Sequence, residues 1–239
     1  MLQLTAFGGL TLGLEDGLVS GAVTQRRRLA LLALLAVARQ RGLSRDKIMA
    51  YLWPESDAAR ARHALNQQLY AQRKLLAGRE LFLGGKTLRL NPAVVRTDVG
   101  DFEDALDRGA LEAAVAVYGG PFLDGFFLKE VPEFERWVDA QRHRLARRLC
   151  AAHVALANAA AARGDQAGSA EWWGRAAEVD PLDSQIALDV VHALTAAGNT
   201  GGALRHAVQH IKRLRQELGV APDARLARLV EQLRAGTPP

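Results

Sequence analysis

Cysteine is nearly absent: the 239-residue chain holds one, Cys150. A single thiol excludes an internal disulfide and a thiolate metal cluster, and it suits a reducing cytosol. Long hydrophobic runs are also missing. The apolar stretch Leu29–Ala38 has ten residues, about half of what a bilayer-spanning helix needs. It follows Arg26-Arg27-Arg28 and ends Ala36-Val37-Ala38, which imitates a secretion signal. Cleavage there would discard the strand-like sequence before it, so the run reads as a buried helix and no membrane is expected.

Catalytic patterns are wanting too. There is no G-x-S-x-G nucleophile elbow, no setting that would activate Cys150, and no acidic spacing that singles out a general acid and base. Gly84-Gly85-Lys86-Thr87 imitates a phosphate loop, but Glu80 stands where that loop needs glycine. Strand-like sequence, Leu88 to Pro92, follows in place of a helix, so nucleotide binding is rejected. His206 and His210, four residues apart, could clamp a metal, yet no third ligand is near and a structural or surface role is favoured. No catalytic residue, metal or cofactor is expected.

What is present is charge, unevenly divided. Residues 1–97 hold fifteen Lys and Arg against six Asp and Glu, a balance of +9; the remainder holds sixteen against twenty, or −4. Only the first part suits a polyanion.

That first part reads as strands, three helices and a hairpin. Leu2, Leu4 and Ala6, then Leu10, Leu12 and Leu14, alternate around Gly8-Gly9 as a short hairpin. Thr24 can cap a very apolar helix to about Arg39, which Gly42 stops. Ser44 caps a shorter helix through Ile48, Met49 and Leu52, ended by Pro54. Ser56 or Asp57 caps a long helix from about Ala58 to Ala77, closed by Gly78. Two β-prone runs then flank Gly84-Gly85, where a two-residue loop would set Leu81 opposite Leu88 and Glu80 opposite Arg89.

From Asp101 onward the chain reads as almost wholly helical. Gly164-Asp165 and Gly198-Asn199 stand 34 residues apart, the period of a tetratricopeptide helix pair. Ser169 and Ala203 follow at one offset, Trp173 and Ala207 at another, and Gly109, Ala114 and Tyr118 form a weaker copy. The fold class expected is mainly α: a winged helix-turn-helix with short hairpins over residues 1–97, then an all-α tetratricopeptide-like domain over 98–239.

The long helix carries the chemistry. Arg60, His63, Gln67, Tyr70 and Lys74 recur at spacings of three and four, with Arg62, Asn66 and Arg73 beside them. Ala61, Leu65, Leu69 and Leu76 lie opposite and face the first helix. Such a stripe suits the major groove, where Asn and Gln pair with adenine, Arg with guanine and Lys with phosphate. Arg26, Arg27 and Arg28 open the first helix, where they oppose its dipole unless a phosphate binds. Lys86 reads as the tip of the wing.

With these residues placed, the chain resembles the Streptomyces antibiotic regulatory protein family, which joins an OmpR-type winged helix-turn-helix to a bacterial transcriptional activator domain. The resemblance lies in Gln25-Arg26-Arg27-Arg28-Leu29-Ala30-Leu31-Leu32, Leu52-Trp53-Pro54, Arg60-Ala61-Arg62-His63-Ala64-Leu65, and Leu69-Tyr70 leading to Arg73. It continues in Gly120-Pro121-Phe122-Leu123, Phe134-Glu135-Arg136-Trp137 and Glu217-Leu218-Gly219-Val220-Ala221-Pro222. It implies a cytoplasmic activator that binds repeats in promoter DNA, often as a homodimer, and contacts RNA polymerase. Gln72 departs from the pattern, since an apolar residue is expected there on the inward side of the helix. The rival expectation is a helical-repeat adaptor for proteins, with weak or vestigial DNA contact.

Overall fold

Alternating apolar residues make the first strands. In the computed structural model, which describes residues 1–14, 17–18, 25–75 and 80–235, β1 (Leu2–Thr5) pairs antiparallel with β2 (Thr11–Leu14). Leu2, Leu4 and Leu12 point into the core while Leu14 remains exposed. Two strands join that the sequence does not announce. β3 (Gly17–Leu18) extends the far edge beside β2, and β7 (Val95–Thr97) runs parallel to β1 on the other.

α1 (Arg26–Ala38) buries every residue from Leu29 to Ala36, as its all-round apolar composition requires. A 3-10 turn (Arg39–Arg41) ends it, and β4 (Leu43–Ser44) leads into α2 (Arg45–Leu52). The Ser44 hydroxyl accepts a hydrogen bond from the Lys47 N–H and caps α2. α3 (Ala58–Leu75) starts on Asp57, whose Oδ1 accepts from the Arg60 N–H at 2.9 Å. Thr24, Leu76, Ala77 and Gly78, given capping, packing and terminating roles by the sequence, lie outside the described residues.

The wing corrects the sequence reading. β5 (Phe82–Leu83) and β6 (Thr87–Leu90) pair Phe82 with Leu90 and Leu83 with Arg89, not Leu81 with Leu88 and Glu80 with Arg89. The physical reason is a third strand: β6 is central and also pairs Leu43 with Leu88 and Ser44 with Thr87 of β4. Three residues, Gly84 to Lys86, separate the strands. Arg89 reaches Gln40 Oε1 at 3.3 Å instead of Glu80.

By packing, the chain divides into two units, Met1–Leu145 and Ala146–Pro239. This division lies well beyond the junction that the sequence suggests near Thr97. The first unit takes in α4 (Asp98–Asp107), α5 (Leu111–Val117), a non-helical stretch over 118–131 that breaks the expected helical run, and the start of α6 (Pro132–Ala162). Asp98 explains the extension. Its buried Oδ2 accepts from the N–H groups of Ala6 and Phe7, each at 2.8 Å, and its Oδ1 from Val99 N–H. Burial pushes this carboxyl above its ordinary range while those three donors pull it down.

The stretch Gly120–Leu123 docks on the same hairpin. Gly8 N–H donates to Pro121 O and Leu123 N–H to Ala6 O. A side chain at Gly8 would put its Cβ 2.7 Å from Gly119 O, so only glycine permits the approach. Arg142 donates to the carbonyls of Phe122 and Leu123, both at 2.8 Å. Trp137 lies against Phe122, Phe134 and Tyr51 of α2.

The second unit is a stack of helices. After the remainder of α6 come α7 (Gln166–Val179), α8 (Ser184–Ala196), α9 (Thr200–Glu217) and α10 (Ala224–Arg234). The expected 34-residue period appears as one turn used twice: Gly164 and Gly198 have φ of 79° and 76°. Asp165 and Asn199 then cap α7 and α9 by accepting from the N–H groups of Gly168 and Gly202. Ser169, Ala203 and Ala207 are buried in the stack, where small side chains let helices approach closely.

Candidate nucleic-acid interface

α2, the turn after it and α3 follow one another in the order expected of a helix-turn-helix. Within α3 the spacing expected from sequence sorts the side chains cleanly. Ala61, Leu65, Leu69 and Gln72 are buried; Arg60, Arg62, His63, Asn66, Gln67, Tyr70, Arg73 and Lys74 are all exposed. Tyr70 is 66% exposed, unusual for a large aromatic side chain. No acidic residue interrupts α3. Arg60 pairs with Asp57 at 3.2 Å on the surface.

The wing and α3 are joined by a residue the sequence reading passed over. Arg45, first in α2, donates through Nε to Gly85 O at 2.7 Å and through Nη1 to Asn66 Oδ1 at 2.9 Å. Its backbone N–H donates to Lys86 O at 3.1 Å. A signal was available: a cation at the first position of a helix opposes the dipole, so a compensating partner was due. Lys86 itself is exposed at the wing turn.

The three arginines of α1 are placed differently. Arg26 donates to Phe127 O at 2.9 Å, and its guanidinium lies 4.7 Å from the Phe127 ring centroid and 5.7 Å from that of Phe126. Arg27 is exposed and Arg28 half-buried. Gln72 is fully buried, and neither of its amide atoms has a hydrogen-bond partner among the described residues. The misfit flagged by sequence is therefore physical, since such an orphaned amide costs about 1–3 kcal/mol.

Away from this face, His210 hydrogen-bonds Ser184 Oγ at 3.1 Å and Pro181 O at 3.2 Å. Among the described residues no cluster of three or more His, Cys, Asp or Glu could hold a metal, and no helix is long and apolar enough to cross a membrane.

Residues 88–234 match the family described as bacterial transcriptional activator domain. The chain belongs to that family. The activator-domain match begins inside β6, so it includes β7, α4 and the segment docked on the N-terminal hairpin. It extends the second unit's repeats into a domain shared by transcriptional activators. A search of curated protein sequences returns no match. Among solved structures, the chain resembles that of Mycobacterium tuberculosis EmbR in complex with a low-affinity phosphopeptide. The identity is 23%, the TM-score 0.70, and the likeness covers all of this chain and 66% of that one. The chain thus spans just under two thirds of the EmbR chain, and the likeness establishes a shared fold: short strands and helices at the N-terminus followed by a helical domain.

Proposed function

We propose that this member of the activator-domain family is a sequence-specific DNA-binding regulator whose OmpR-type winged helix-turn-helix, residues 1–97, lays α3 in the major groove. The observation that carries the reading is the exposed face of α3, basic and amide-rich and without an acidic residue along the helix. Asn66 and Gln67 read base edges, Arg60, Arg62, His63 and Tyr70 flank them, and Arg73 and Lys74 hold phosphate. Lys86 meets the neighbouring groove or backbone. Arg27 and Arg28 supply further phosphate contacts, and Arg26 does so on leaving Phe127.

Residues 98–239 mediate assembly: homodimers on promoter repeats and contact with RNA polymerase, in the cytoplasm. A mobility-shift assay on the DNA upstream of the protein's own gene, with specific and random competitor, tests this. Selective retention is expected; equal competition by random DNA rejects it.

One observation favours the adaptor reading. A cavity of about 670 Å³ in the second unit is lined by Glu178, Asp183, His206, His210 and Arg213 among others, and repeat stacks use such grooves for protein partners. DNA binding too weak to survive physiological salt would put this reading first.

A further inference from the structure

Arg45 sits where the wing, the start of α2 and α3 meet, and its position is fixed by backbone. Leu43 and Ser44 pair with Leu88 and Thr87 in the wing sheet, and Arg45 N–H donates to Lys86 O. From there the side chain spans two elements, with Nε on Gly85 O and Nη1 on Asn66 Oδ1. A guanidinium carries only donors. The Asn66 atom facing it is therefore the carbonyl oxygen, and the ordinary ambiguity of an amide's two ends is settled by chemistry. An exposed asparagine with no such partner turns over freely and offers a base either a donor or an acceptor.

We propose that Arg45 is a specificity-determining positioning residue: it commits Asn66 Oδ1 to the protein and leaves the Nδ2 donors for a bound duplex, so that cytosine is refused where Asn66 reads. This rests on the reading of α3 as the helix in the major groove. In that groove guanine presents N7 and O6, adenine N7 and thymine O4 as acceptors, whereas cytosine presents the N4 amino donor. A donor edge held outward accepts the first three bases and clashes electrostatically with the fourth. The same side chain ties Asn66 to the wing tip, so wing placement and base choice are set together.

Selection of binding sites from a randomised duplex pool, with the full chain, reads this directly. The wild-type protein is to deplete cytosine about tenfold at one position of its site. Asn66→Ala is to level that position. Arg45→Gln is to level it too, because a glutamine amide offers both donor and acceptor and lets Asn66 turn over; Arg45→Met, which keeps the stem and removes every donor, serves if the first variant melts early. Asn66→Asp, on an exposed site, carries acceptors only and is to turn the preference toward cytosine. If Arg45→Gln and Arg45→Met keep cytosine excluded while Asn66→Ala does not, the proposal fails and the reading of α3 stands. Continued refusal of cytosine by Asn66→Asp also overturns it. A wild-type protein that enriches no sequence brings down both.

Discussion

The two units hold helices together by different means. The first relies on side chains that reach far along the chain: Asp98 to Ala6 and Phe7, Arg26 to Phe127, Arg142 to Phe122, and Arg144 to the buried Glu103 at 2.6 Å. The second relies on a local device used repeatedly, a glycine turn and a capping side chain three residues from its donor, with apolar stripes doing the rest. One pair of helices sharpens the contrast. α3 and α9 each have eighteen residues and four Lys or Arg, and each buries one stripe along its length. The stripes even carry one polar member apiece, Gln72 and His210. Yet His210 is hydrogen-bonded while Gln72 has no partner among the described residues, and α9 is flanked by α8 and α10 while α3 is backed by α2. A basic stripe is thus no signature by itself. What distinguishes α3 is an outward face left open and stocked with amides.

The largest expected effect lies in the long-range anchors. Asp98→Ala strands three buried N–H donors and is to cost the first unit about 2–5 kcal/mol, with the second unit's unfolding unchanged. Calorimetry that resolves the two units checks this, and an equal loss in both would erase the distinction drawn between them.

Next comes the contrast between α3 and α9. Asn66→Ala and Gln67→Ala are each to weaken binding to the preferred duplex by about 1–3 kcal/mol and binding to random duplex little. Lys74→Ala is to weaken both and lower the salt slope by roughly one. Lys212→Ala, on α9, is to leave every isotherm in place. Titrations at several salt concentrations decide, and a Lys212 effect as large as that of Lys74 would break the comparison.

Local caps should matter less than Asp98. Asp165→Ala and Asn199→Ala are each to remove about 1 kcal/mol from the second unit, seen as a lower midpoint in denaturant with the slope unchanged. A loss matching that of Asp98→Ala would contradict the local character claimed for the stack.

The mildest effect concerns pH. Burial lowers the imidazole pKa values of His153, His206 and His210 below the ordinary 6.5. As pH falls through 6.5 the unfolded chain takes up these protons before the folded one does. The stability due to the neutral rings is therefore complete above that pH and drains away below it. Melting of the second unit is to fall by a few degrees between pH 7.5 and 6, and His153→Phe, which keeps the ring against Trp172, is to flatten the dependence.

Much of this was legible from residue patterns. The caps at Ser44 and Asp57, the all-round burial of α1, the two faces of α3 and the turns at Gly164 and Gly198 are local facts, and periodicity reports them. The candidate stripe was legible for the same reason. What periodicity does not carry is partnership at a distance. β7 pairs with a strand some ninety residues earlier, the wing register obeys β4, Trp137 meets Tyr51, and Arg45 meets Asn66. Arg26 shows the limit best: read as a phosphate ligand from its position, it is engaged by a phenylalanine 101 residues away.

The glycine contact between Gly8 and Gly119, together with the Asp98 anchor, bears on how such a protein can be recombined. A chimera spliced at residue 97 would carry a hairpin whose N–H groups have lost their acceptor and whose docking segment has been left on the other parent. A graft that keeps residues 1–145 together moves the whole interlocked body. Exchange of target specificity between relatives, by engineering or by gene conversion, should therefore succeed with crossovers inside α6 and fail with crossovers at the apparent linker.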